Sequence, residues 1–336
     1  MSKKKKIQEM DYLYANARVR ALENKLIGTD GFRRMAEAKT EEEALKVLQE
    51  AGYGEFTSYE DAMAALPAKR EENFALVRKM APDQNLVDLF LIRYDYHNLK
   101  AVIKGEAAGT EYLSTLSKAG TLPADKLADW AKAPANKPEV TLTPVMKEAA
   151  LQARDVLART SDPRLSDTVL DRACFKEMLS MAETAGSKFA ADYVRLQIDG
   201  INMKTAVRMK RMGEDMYLLP QYFIEGGKGS AADLRGDLTP EGLMARYELT
   251  ALKAAAPAGS AALRGETGVA PLDMAVDNIL MDYLKAGKRA AFGEQVLFCY
   301  TAACEAELTA VQTILAGKIA ELPAEAILER LRDTYV

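Results

Sequence analysis

Residues 91–105 read LIRYDYHNLKAVIKG, and the fold turns on how that stretch is understood. Leu99, Val102 and Ile103 recur at three- and four-residue spacing, the apolar stripe of an amphipathic helix. Asp95 and Asn98 lie three apart and project from neighbouring points on one face. The pattern then returns. Residues 194–209 read VRLQIDGINMKTAVRM, where Asp199, Asn202 and Lys204 stand 104 positions after Asp95, Asn98 and Lys100. Met203, Ala206 and Val207 repeat the stripe at the same spacing. A weaker third copy stands 212 positions after the first. There Val311, Ile314 and Leu315 keep the stripe, Gly317 repeats Gly105, Glu307 replaces Asp95, and Ala310 replaces Asn98.

A period this long means three related modules, because solenoid repeats have periods of about 20–50 residues. Each copy is followed by a helix start: Leu122-Pro123-Ala124-Asp125, Thr239-Pro240-Glu241 and Leu322-Pro323-Ala324-Glu325. Proline lacks only an N–H that the first turn leaves unpaired, and the adjacent carboxylate suits the positive helix end. Each module is therefore expected to be a long helix, a connection of variable length and a shorter helix. The expected boundaries give modules at 1–110, 111–215 and 216–336. The composition is 49% hydrophobic and 28% charged over 336 residues, that of a globular protein with ample core. Abundant Ala, Leu, Glu, Lys, Met and Arg, with few β-branched runs, favour an all-α fold. A formal net charge of −4 argues against nucleic-acid binding. No apolar run reaches the ~18–20 residues of a bilayer span.

Along the chain, Lys3 to Lys6 form a basic run, read as a solvated end, with attraction to anionic headgroups as the sharper alternative. Asp11 to Ile27 is expected to be one long helix. Thr40 to Glu43 has the form of a capping box, and Gly52 that of a left-handed C-cap. Pro134 to Pro144 reads as a loop before a helix at 146–158, and 170–182 as another helix. Leu170-Asp171 is answered by Val276-Asp277. Residues 217–237 are expected to be irregular with a flexible glycine centre, and 254–270 an exposed Ala/Gly/Pro connection. The carboxyl end echoes an earlier segment: Glu43 to Tyr53 and Glu325 to Tyr335 share their spacing.

Candidate chemistry is sparse. The glycines at 226–229 lack the G-x-x-x-x-G-K-[ST] pattern of a phosphate loop, since Lys228 is followed by Gly229 and Tyr222 holds the first glycine position. His97 is the sole histidine, and its counterpart is Ile201, so a packing boundary is the better reading. Cys174, Cys299 and Cys304 show no CxxC spacing and read as buried thiols of a reducing compartment. Asp95, Asp199 and Glu307 would do acid–base chemistry only if they converged on one pocket. Coming one per module, they are read as braces that accept hydrogen bonds from a neighbouring backbone. No catalytic, cofactor or metal residue is assigned. Asp95, Asn98, Lys100, Asp199, Asn202, Lys204 and Glu307 are structural repeat positions.

The segments YDYHNLKAVIKG (94–105), YANARVRALENKLI (14–27) and EEALKVLQEAGYG (42–54), with Asp199, Asn202, Lys204 and ILERLRDTY (327–335), resemble the C subunits of the V/A-type ATPases. That family includes the d subunits of vacuolar ATPases. The resemblance implies three all-helical modules in a pseudo-threefold funnel or socket. It also implies a non-catalytic central-stalk role on the cytoplasmic side, peripheral to the membrane. One partner would be the rotor shaft made of the D and F subunits, the other the membrane rotor ring of c/K subunits. Protons or sodium ions would cross in other subunits. A general helical scaffold is the alternative, but it gives no reason for three modules of this length.

Overall fold

The computed structural model describes residues 7–132, 140–236 and 238–336. The Lys3–Lys6 run and residues 134–139 of the expected loop lie outside them. Sixteen α-helices and no strand occur among the described residues. They are α1 (Leu13–Glu23), α2 (Thr29–Glu37), α3 (Glu41–Glu50), α4 (Tyr59–Met80), α5 (Asn85–Ala108), α6 (Ala124–Lys132), α7 (Pro144–Thr160) and α8 (Pro163–Thr184). There follow α9 (Lys188–Arg211), α10 (Leu219–Tyr222), α11 (Ala231–Arg235), α12 (Pro240–Tyr247), α13 (Ala256–Arg264), α14 (Ala270–Gly287), α15 (Glu294–Ile319) and α16 (Ala324–Leu328). The protein is all-α. The three repeat copies fall on α5, α9 and α15, the three helices longer than 22 residues.

The chain forms two compact units: residues 1–87 with 281–336, and residues 88–280. In the first, α15 packs against α1, α2, α4 and α16, and α2 against α3 and α16. Its core joins Phe32, Met35, Leu48 and Leu66 to Leu308, Val311, Ile314, Leu315 and Ile327, so both ends of the chain build one apolar cluster. In the second, α7 pairs with α8, α8 and α13 with α9, and α12 with α13. Here Leu99, Val102, Met203 and Val207 of the repeat stripes are all fully buried.

Local signals explain most helix ends. The Thr40 hydroxyl accepts from Glu43 N, but the Glu43 carboxylate accepts from Lys39 N, one residue further back than a capping box requires. Gly52 takes φ +79°, Gly52 N donates to Gln49 O and Tyr53 N to Leu48 O, a Schellman closure of α3. The proline-marked starts at 123, 240 and 323 open α6, α12 and α16.

Three expectations are corrected. The helix expected over 11–27 is a 3₁₀ turn at Glu9–Tyr12 followed by α1, which stops at Glu23. The Ile27 amide leaves helical bonding because a buried carboxylate takes it. Residues 217–237 hold two short helices, α10 and α11, and the glycine turn between them is hydrogen-bonded. Within 254–270, Ala256–Arg264 is the packed helix α13, with Gly259, Ser260 and Ala262 buried, while residues 265–268 are exposed as expected. Small side chains there mean close approach: a Cβ on Gly259 would sit 2.7 Å from Leu243 Cδ2.

Candidate functional site

Helix α5 presents Asp95 and Asn98, both fully buried, to the chain that leaves it. Asp95 Oδ2 accepts from Thr121 N (3.0 Å) and Thr121 Oγ1 (2.6 Å), and Oδ1 from Leu122 N (3.1 Å). Asn98 pairs with one peptide unit in both directions: Nδ2 donates to Ser117 O and Oδ1 accepts from Ser117 N, each at 2.8 Å. The segment 117–122 carries otherwise unpaired backbone groups, and the two side chains supply what a sheet partner would. Burial pushes the Asp95 carboxyl up to about 6, against the pull of its Thr121 and Leu122 donors, and Asp88 adds to the rise.

Helix α9 repeats the device. Asn202 donates to Ile224 O at 2.7 Å and accepts from Ile224 N at 2.8 Å. Asp199 Oδ1 accepts from Lys228 N (2.9 Å) and Gly229 N (3.1 Å). The braced peptides stand 107 apart, 117 against 224, whereas the side chains stand 104 apart. The connection is thus three residues longer in the second copy. The helix that follows the second brace is α11, not the proline-marked α12.

A glycine precedes each braced turn. A Cβ on Gly120 would lie 2.1 Å from Asp95 Oδ1, and one on Gly227 2.2 Å from Asp199 Oδ1. These glycines, also 107 apart, let the backbone approach the carboxylate.

The repeated lysines brace a second neighbour. Lys100 Nζ lies 2.6 Å from Asp171 of α8, and Lys204 Nζ 3.7 Å from Asp277 of α14. One turn on, Lys104 meets Asp167 at 2.9 Å and Arg208 meets Asp273 at 2.6 Å. Sequence reading missed this second pair, although both cations obey the same 104 spacing. It also missed the buried Tyr96 hydroxyl, which donates to Glu177 at 2.7 Å.

In the third copy Glu307 accepts from Tyr53 OH (2.7 Å) and Ile27 N (2.5 Å). Burial pushes its carboxyl up to about 6. Ala310 offers no counterpart to Asn98.

Asp95, Asp199, Glu307 and the two asparagines are each engaged by backbone or neutral side-chain groups of the same unit, an arrangement that braces. His97 is exposed, with Nε2 3.1 Å from Thr115 O. The three cysteines are buried and their thiols are pushed up to about 12 by burial. Among the described residues no group of three or more His, Cys, Asp or Glu is placed to hold a metal ion, and no helix is long and apolar enough to cross a membrane.

A family model described as the ATP synthase (C/AC39) subunit matches residues 15–330. The chain belongs to that family. The C/AC39 family is a structural, non-catalytic subunit, so this member is a subunit of a rotary ATPase and one part of a larger complex. It is similar to the C subunit of the V-type ATP synthase of Thermus thermophilus, 27% identical over 65% of this chain and 68% of that protein. It is also similar to the C subunit of the A-type ATP synthase of Thermococcus kodakarensis, 27% identical over 64% of this chain and 62% of that protein. The C subunit of the V-type sodium ATPase of Enterococcus hirae is 21% identical, over 97% of this chain and 99% of that protein.

Proposed function

We propose that this chain couples the D–F rotor shaft to the membrane rotor ring, from the cytoplasmic side, in a proton- or sodium-translocating V/A-type ATPase. Family membership across residues 15–330 carries the reading. The repeated braces support it physically. An element that passes torque must deform little under load, and packed helices tied by satisfied buried polar groups are stiff. In α5 and α9 each long helix is tied to the chain that follows it and to a further helix, by Asn and Asp on one side and by paired cations on the other. The modules 1–110, 111–215 and 216–336 would stand in pseudo-threefold order as a socket, with Asp95, Asn98, Lys100, Asp199, Asn202, Lys204 and Glu307 as their repeated braces.

The test is co-purification of the tagged chain with the D–F pair and, separately, with the detergent-solubilised rotor ring of the same organism. Capture of both is expected. Capture of only one, or of neither, would remove the coupling role.

A further inference from the structure

The three carboxylates hold equivalent backbone positions, and the equivalence crosses the chain. Asp95 takes the Leu122 amide, two residues before α6 begins at Ala124. Asp199 takes the Gly229 amide, two residues before α11 begins at Ala231. Glu307 takes the Ile27 amide, two residues before α2 begins at Thr29. The first two braces close on chain that follows within 30 residues; the third reaches back 280. Lys25 occupies the place of Gly120 and Gly227. Lys25 carries the Cβ that Gly120 and Gly227 lack, and Glu307 carries one methylene more than Asp95 and Asp199. The segment before α2 thus completes the third copy of the brace.

Glu307, like its counterparts, accepts only from neutral donors, but its two, Ile27 N and Tyr53 OH, stand on two separate segments, one before α2 and one after α3. The titratable and charged groups facing it are Tyr53 from the turn after α3, Lys69 from α4, and Tyr300 and Cys304 from its own helix. Lys69 is itself engaged, donating to Gly52 O and Glu72. Glu23 lies beyond Tyr300, paired with Arg20.

We propose that Glu307 is a positioning residue that latches the α1–α3 segment to α15, and that the latch holds more firmly in mild acid than at neutral pH because its ionised form is the one opening relieves. Burial supports the direction. A carboxyl raised from an ordinary 4.5 to about 6 contributes its full hold below about 4.5 and loses it as pH rises through about 6. The largest change in the opening equilibrium is about 30-fold for a shift of this size. The unit of residues 1–87 and 281–336 contains no histidine to titrate in the same window, since His97 belongs to the other unit.

Hydrogen exchange of the full chain at pH 5 and pH 7.5, corrected for intrinsic rates and read by mass spectrometry, tests it. Peptides covering residues 13–50 are expected to open roughly eight times more at pH 7.5 than at pH 5, and Glu307→Gln to abolish that pH dependence. Tyr53→Phe removes one bond that favours the ionised form, so its transition is expected at higher pH than the wild type's. A pH dependence unchanged in Glu307→Gln, or absent from the wild type, overturns the latch. If Glu307→Gln does not fold, an unshifted transition in Tyr53→Phe overturns it.

Discussion

Asn98 and Asn202 each solve one problem with one amide: a passing peptide needs a donor and an acceptor together. The cost of removing them depends on whether water can replace them. Ile224 is buried, whereas Ser117 is half-buried. Asn202→Ala is therefore expected to cost about 2–4 kcal/mol and Asn98→Ala about 1–2 kcal/mol in urea unfolding. Asp95 carries a pH signature of opposite sense to a salt-bridged acid. Its carboxyl is raised from 3.8 to about 6, so its contribution is full below about pH 4 and is lost as pH rises through about 6. Asp95→Asn is expected to gain on the wild type by up to about 3 kcal/mol between pH 4 and pH 7, whatever its fixed offset. The repeat positions could be read from the sequence because spacing survives in text. Their partners could not: Ser117, Thr121 and Ile224 share no residue type, and what they offer in common is a peptide group, to which Thr121 alone adds its hydroxyl. Gly120 and Gly227 did carry a readable signal, a spacing of 107, hidden by three added loop residues.

At the scale of elements, helix type and the long repeat helices were legible because apolar spacing and proline-marked starts depend on local chemistry. The errors share one cause. The end of α1, the order in the glycine turn and the helix α13 are all decided by tertiary partners: Glu307, Asp199 and Leu243. Two predictions belong here. Gly120→Ala is expected to cost about 1–3 kcal/mol, and Gly227→Ala less, because half-buried Asp199 can swing outward. Gly268→Ala, with nothing within 4 Å of the added carbon, is expected to stay within about 0.5 kcal/mol. Thermal unfolding of the three variants checks the order. For the repeated ion pairs, Lys104→Glu is expected to cost about 1 kcal/mol or less, and adding Asp167→Lys to recover most of it, as partly exposed pairs do. A double-mutant cycle reads the coupling directly.

For the molecule as a whole, the buried thiols report the two units separately. Cys174 lies in the unit of residues 88–280, and Cys299 and Cys304 in the other. With thiols buried and raised to about 12, the native chain is expected to resist an aromatic disulfide reagent at pH 8. In a urea titration, labelled-peptide mass spectrometry then shows which unit opens first. The apolar cluster that joins Phe32 and Met35 to Ile314 and Ile327 has its own consequence for biosynthesis. Helices α1 to α4 leave the ribosome more than two hundred residues before α15, the helix they are built to cover. The nascent chain must carry their greasy faces unsheltered while the intervening unit folds, which makes this amino-terminal stretch the natural client of a holding chaperone.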